Sequence, residues 1–213
     1  MTSEKEQTQG GEAEAVRDEI ASIVRDGKEM AKRITEVIQR AVAQGGGTLV
    51  GLPKLFASVV EGAFKGVAAI APSEQRERLE GVLAQLEEVF VSVLTSIQLT
   101  AKEAVARGDR VAGEEIRDFA SELFSLAQLF GEIVTKYSGE FAAEARMQVT
   151  DLRVHMGRIG MKIAPLVQAL LQAAIEVPQE VTAQAAVTTS SWVASALRRA
   201  ADKLAPEKAT RPD

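Results

Sequence analysis

The chain has 213 residues, enough for one domain with a hydrophobic core. Hydrophobic residues make up 46% and charged residues 26%, a balance typical of a globular protein. The absence of cysteine excludes disulfides, thiolate nucleophiles and cysteine-based metal sites, and one histidine, His155, leaves little for metal binding or acid–base catalysis. A net charge of -5 argues against a general nucleic-acid binder. We therefore expect a protein with no enzymatic activity and no cofactor.

The two ends of the chain differ in composition from the rest. Residues 1–11 carry no apolar side chain beyond the initiator methionine, and residues 205–213 combine two prolines with alternating charges. Both compositions predict disorder, which leaves 12–204 as a single helical-bundle domain. The N-terminus lacks the basic and then apolar run of a secretory signal, so we expect a cytoplasmic protein.

A first helix is predicted over 12–44. Its apolar residues recur with alternating spacings of four and three from Val16 to Ala41, with Gly27 in the same stripe. The three glycines at 45–47 are expected to end this helix, because successive glycines lose too much backbone entropy to stay helical.

A second helix, predicted over 49–71, is unusually poor in charge. Its only charged residues, Lys54, Glu61 and Lys65, lie within about 40° of one another on a helical projection. The rest of the circumference is apolar or small, so this helix is expected either to be buried or to bind an apolar surface or a partner. The candidate binding residues are Leu49, Leu52, Leu55, Phe56, Val59, Val60, Phe64, Val67 and Ile70.

Three further residues of this helix have positional meaning. Pro53 suits the first turn, where its missing N–H costs nothing, and Gly62 and Gly66, four residues apart, permit close approach of another helix. Two placements stay open: a central helix of the bundle, or an interfacial helix on a lipid-like surface. The three charges make it a poor transmembrane span.

Four more helices follow. Pro72, Ser73 and Glu74 predict the start of a helix over 74–107 with Ser73 as its N-cap. The positions of glycine and proline, which break helices, then predict helices over 110–160, bent near residue 138, and over 165–177 and 179–204. The side chains expected in the core are Leu83, Leu86, Phe90, Leu123, Phe130, Leu152 and Ile159.

These patterns define the fold class. No stretch alternates with period two, so β structure is not expected. The sequence predicts an all-α protein: an elongated helical bundle of about five or six amphipathic helices with disordered termini. A second low-charge region covers 163–197, where Glu176 and Glu180 are the only charged residues.

The apolar sequence LPKLFASVVEGAFKGVAAI at 52–70, in an acidic, cysteine-free chain of Ala-rich amphipathic helices, resembles the phasins that coat polyhydroxyalkanoate granules in bacteria. The resemblance is one of type and transfers no functional residue. It implies a protein that coats a polymer or lipid surface. The near-continuous apolar ring over 49–70 departs from the more evenly amphipathic helices of phasins.

Three classes of function remain open. The first is a structural protein that self-associates as a homo-oligomer or coats an apolar polymer-granule or lipid surface through 49–70 and 163–197. The second is a membrane-inserting protein, in which 49–70 leaves the bundle like the apolar helix of a helical pore-forming toxin. The third is an adaptor or regulator that binds a helix of a protein partner in a groove. Nucleic acid is not an expected partner.

Overall fold

The protein is an all-α helical bundle, as the sequence predicts. Of the residues that the structure describes, 91% are helical and none is in a strand. Four helices have defined bounds: α1 (Thr2–Asp26), α2 (Met30–Gln44), α3 (Leu52–Ala68) and α4 (Pro72–Ala106). The computed structural model describes residues 2–44, 49, 51–106, 116, 118–119, 122, 129–137, 139–141, 158, 161–162, 164–169, 172, 196–200 and 202.

Helices α1 and α2 form an antiparallel pair. Two cross-helix ion pairs show the direction: Arg33 with Asp26 near the turn, and Arg40 with Glu19 further along, where Arg40 Nη1 lies 2.9 Å from Glu19 Oε2. Both pairs are solvent-exposed, so each contributes at most about 1 kcal/mol. The hairpin is therefore held mainly by its apolar face.

Helices α3 and α4 are also antiparallel. The rings of Phe56 and Phe90 pack with their centroids 4.4 Å apart. At the turn, the buried Gln75 amide of α4 donates hydrogen bonds to the carbonyl oxygens of Ala68 (3.3 Å) and Ile70 (3.2 Å). Gln75 thus pairs two carbonyls that the end of α3 would otherwise leave unsatisfied.

The single helix predicted over 12–44 is wrong: the chain turns back between α1 and α2. Gly27 has φ 74° and Glu29 has φ 46°, both in the left-handed region. The Arg78 guanidinium, from α4, donates to the carbonyl oxygen of Val24 at 2.6 Å and places a positive charge at the C-terminus of α1. Glycine at position 27 ends α1 in a left-handed cap instead of continuing the apolar stripe.

We expect Gly27→Ala to lower the free energy of unfolding by about 1–2 kcal/mol, the cost of a left-handed conformation for an L side chain. A Cβ at this position would also lie 2.1 Å from Arg78 Nη1 and displace that guanidinium from its carbonyl. Chemical denaturation measures the change. In an Arg78→Ala background the substitution should cost less, because no guanidinium is then displaced; equal costs would contradict this account.

Other predicted boundaries are close to the observed ones. Helix α2 ends at Gln44, directly before the glycine run, and α3 covers all but the ends of the predicted 49–71. The residue at the start of α4 differs: Pro72 is its first residue, so Ser73 is inside the helix and not its N-cap. Proline suits that position because its missing N–H has no partner there.

Helix α1 begins at Thr2 and so includes most of the 1–11 segment, for which the composition predicts disorder. Glutamate, lysine and glutamine are good helix formers and the segment contains no proline, so a helix nucleated further along extends through it, although Gly10 and Gly11 each lower the helical propensity. The predicted tail at 205–213 lies outside the described residues.

The hydrophobic core follows the predicted stripe. Leu83, Leu86, Phe90 and Phe130 are buried, as expected. The other predicted core residues, Leu123, Leu152 and Ile159, lie outside the described part of the chain, as do most of the predicted helices over 110–160, 165–177 and 179–204. Helical residues at 129–137, 165–169 and 196–200 fall within those three ranges.

Candidate functional site

The charge-poor helix α3 is the central helix among α1–α4. It packs against α1, α2 and α4, and of the two placements left open by the sequence, the structure shows the central one. Seven of the nine candidate binding residues are buried, and Leu55 and Ile70 are partly exposed. In the folded chain these residues therefore belong mainly to the hydrophobic core and do not form an external apolar surface. The buried seven are Leu49, Leu52, Phe56, Val59, Val60, Phe64 and Val67.

The contact between α3 and α1 depends on two glycines. A Cβ added to Gly62 would lie 2.5 Å from the carbonyl oxygen of Arg17, and one added to Gly66 would lie 2.7 Å from that of Ala21. Because these are backbone atoms, neither neighbour can move aside without moving α1. The predicted close approach at Gly62 and Gly66 is confirmed, and its partner is α1. The paired positions rise together along both helices, so α1 and α3 are parallel.

Aromatic rings tie α3 to two further parts of the bundle. On one side Phe56 packs on Phe90 of α4, which in turn stacks with Phe130 at 6.0 Å between centroids. Further along, the Phe64 ring makes edge contacts with Tyr137 at 6.3 Å and with Phe141 at 6.1 Å. The chain contains seven Phe and one Tyr, and six of these eight rings belong to the contacts that start from Phe56 and Phe64 of α3.

The charged edge of α3 is its most exposed part, because Lys54 and Lys65 are the two residues of this helix that are exposed. Glu61 accepts from Arg17 Nη1 on Oε2 at 3.0 Å and from Lys136 Nζ on Oε1. Four residues along, Lys65 Nζ donates to Asp18 Oδ1 at 2.7 Å. These pairs connect α3 both to α1 and to the 129–137 segment. The edge is the narrow strip that the sequence predicts from three closely spaced charges, but its partners could not be named from sequence.

The electrostatics of this edge favour the ionised forms. Partial burial raises the pKa of Glu61, but the Lys136 hydrogen bond and the Arg17 charge outweigh it, and the net pKa lies below the ordinary 4.5. The Lys65 hydrogen bond lowers the pKa of Asp18. In return, the Glu61 hydrogen bond raises the pKa of Lys136. Each carboxylate is thus held ionised by a cation on another helix.

The long helix α4 has an apolar part that the sequence analysis missed. Residues 89–101 contain no charged side chain. The Pro72–Glu103 part of α4 includes an 18-residue window with a mean hydropathy of 1.4, half of which is buried. By length and composition this helix could cross a membrane, although core helices of globular proteins meet the same criterion. The core residues predicted for this helix, Leu83, Leu86 and Phe90, mark only its buried face. They do not show that the other faces of the stretch also lack charge.

A surface groove of about 530 Å³ runs along α4 beside Lys162. Lys162 forms an ion pair with Glu87 within its lining. The groove was not predicted from sequence, since it depends on two segments about 75 residues apart in the chain. Its lining is Ala84, Glu87, Glu88, Val91, Ser92, Thr95 and Lys162.

The structure describes only some of the remaining residues that the sequence suggested as functional. Most of the second low-charge region, 163–197, and His155 lie outside the described residues. Within the described part, no three His, Asp or Glu side chains group in a way that could hold a metal ion. No family model, curated protein or solved structure gives a significant match to this chain.

Proposed function

We propose that this protein is a non-enzymatic helical-bundle protein that coats an apolar surface, of a polymer granule or a lipid, by uncovering α3. The observation that supports the proposal is the position of α3: among α1–α4 it has the fewest charged residues, and α1, an amphipathic helix, covers one side of it. Coating of a polymer or lipid surface is also the function that the resemblance to phasins implies. It requires the bundle to open.

Opening is physically reasonable because one apolar contact replaces another. Each large side chain that loses its burial costs roughly 1.5–3 kcal/mol in water, but not when an apolar surface takes the place of the neighbouring helix. Ile20 and Val24 of α1 are buried against Gly62 and Gly66 of α3, so separating the two helices would present these apolar side chains to that surface. Water alone should therefore leave the bundle closed, and an apolar surface should open it.

The chain has the turns and contacts that such a movement needs. The α1–α2 turn at 27–29 has two residues with positive φ and is short, so a change of backbone angles there would swing α1 as a unit. Apart from the two glycine contacts, α1 is held to the edge of α3 by the Arg17–Glu61 and Asp18–Lys65 ion pairs. Pairs of this kind are individually weak.

Locking α1 onto α3 tests the proposal. Because the chain has no cysteine, the double variant Asp18→Cys with Lys65→Cys can be joined by a short bismaleimide without side reactions at other thiols. We expect the unlinked variant to co-sediment with polyhydroxybutyrate particles or with phosphatidylcholine–phosphatidylglycerol liposomes. The linked form should lose most of this binding, because its α3 stays covered.

A matched control is available within α4. Arg76 and Glu80 form an exposed i,i+4 ion pair, so Arg76→Cys with Glu80→Cys accepts the same reagent without tying two helices together. This linked control should bind like the wild type. Absence of binding by the wild type to either surface would overturn the proposal, and equal binding by the two linked forms would overturn the opening of α1. A dimer that binds neither surface would instead support self-association.

Membrane insertion is a second candidate, favoured by the apolar part of α4. Together with α3 it would form a hairpin of two charge-poor helices joined by the short turn at 69–71. Release of a dye trapped in the liposomes separates the two functions: a coating protein binds without leakage, whereas an inserting hairpin disturbs the bilayer. Leakage that the α1–α3 cross-link abolishes would favour insertion.

A further inference from the structure

We infer that Glu61 is a latch whose neutralisation releases α1 from α3, so that acid opens the bundle. The inference rests on the proposed function, because it names the regulation of the same apolar helix. Glu61 is the only carboxylate of α3, and its two oxygens face two different parts of the bundle. One side chain therefore holds three helical segments together.

The position of Glu61 gives it leverage over the α1–α3 contact. Glu61 directly precedes Gly62, and both residues contact Arg17. The Glu61 carboxylate accepts a hydrogen bond from the Arg17 guanidinium at 3.0 Å, and Gly62 packs against the Arg17 carbonyl oxygen. The side chain of Glu61 is only 16% exposed, less than either of its cationic partners. A partly buried carboxylate with two partners contributes more than an exposed pair does.

Neutralising Glu61 changes the balance of charge at this edge. The charged groups that surround it are Arg17 and Asp18 on α1, Lys65 on α3, and Lys136 with Glu140 beside Tyr137. With Glu61 ionised, the three cations face it and the Asp18 carboxylate. Without it, Arg17 and Lys136 lose their common partner at the α1–α3 contact and repel each other there.

The variant Glu61→Gln imitates the neutral carboxyl at neutral pH. We expect it to raise the hydrogen-exchange rates of the buried α1 amides around Ile20 by about fivefold, the effect of losing two partly exposed ion pairs. Far-UV circular dichroism checks that the variant stays helical. Lys136→Gln removes one of the two pairs and should give a smaller increase in the same amides, which keeps the test open if Glu61→Gln does not fold.

Glu87→Gln is the matched control. Glu87 is 18% exposed, pairs with a lysine 75 residues away, as Glu61 does, and touches neither α1 nor α3 in the contacts described for it. Its replacement should leave the exchange of the α1 amides unchanged. Equal acceleration by both variants would mean general destabilisation and would overturn the latch.

The dependence on pH has a definite sign. The pKa of Glu61 is lower in the folded protein than its ordinary 4.5, so its stabilisation is fully present above that value and is lost as the pH falls through the folded pKa. Asp18 acts in the same direction. We expect α1 exchange in the wild type, corrected for intrinsic rates, to accelerate below about pH 4.5 and in Glu61→Gln to depend less on pH. Parallel profiles would contradict the latch.

Binding to the polyhydroxybutyrate particles and to the liposomes used above separates the latch from the proposed function. Faster α1 exchange together with stronger binding by Glu61→Gln at neutral pH supports both. Faster exchange with no binding by either protein supports the latch and overturns surface coating. Unchanged exchange overturns the latch, whatever the variant binds.

Discussion

Replacing Phe56 and Phe64 together by serine is expected to unfold the protein. Both rings are fully buried in α3, where Phe56 packs on Phe90 and Phe64 meets Tyr137. Truncating a buried phenylalanine typically costs about 3–5 kcal/mol, and each serine also buries a hydroxyl. The sum is comparable to the total stability of an ordinary domain, about 5–15 kcal/mol. Far-UV circular dichroism and thermal melting measure the outcome.

The same pair of substitutions distinguishes a central helix from a peripheral one. A peripheral α3 would tolerate both changes and lose only its association with a surface or a second subunit. Leu99 provides the control: its side chain is 44% exposed on α4, so Leu99→Ser should change stability by no more than about 0.5 kcal/mol. A folded double variant with an unchanged melting temperature would mean that α3 is not the centre of the bundle.

Adding a methyl group at the α1–α3 contact is the second large expected effect. Gly62→Ala and Gly66→Ala should each lower the free energy of unfolding by about 1–3 kcal/mol, the usual cost of overpacking. The new Cβ atoms would lie 2.5 Å and 2.7 Å from backbone carbonyl oxygens of α1, too close to be relieved by a side-chain rotation. Urea denaturation of each variant measures the loss.

Gly81→Ala is the control for this prediction. Gly81 lies inside α4, and a Cβ there would meet nothing within 4 Å. Alanine is a better helix former than glycine by about 1 kcal/mol, so this substitution should stabilise the protein. If all three variants gain stability, helix propensity dominates and the glycine contact is not tight. Opposite signs at Gly62 and Gly81 would confirm that the space at each position decides the result.

The sequence alone determined the helical class, the end of α2 and the approximate limits of α3 and α4, because these depend on local properties. Proline at Pro53 and Pro72 and the glycines after Gln44 mark positions where the backbone stops or starts a helix whatever surrounds it. The apolar stripe identified the buried side of α4, since a helical period of 3.6 residues places Leu86 and Phe90 on one face. The spacing of Gly62 and Gly66 predicted a close contact with another helix, but it did not identify α1 as that helix.

Only the tertiary structure decided the break at Gly27 and the place of α3. In sequence, a glycine within an apolar stripe is compatible both with a small residue inside one continuous helix and with a residue that ends a helix. The residue that occupies the space next to Gly27 is Arg78, which is 51 residues away in the chain. Likewise, the apolar circumference of α3 would have the same sequence whether other helices or a lipid surface covered it. Its cover here, α1 with the Arg17–Glu61 pair, comes from a segment 44 residues distant, and such pairings leave no local signal.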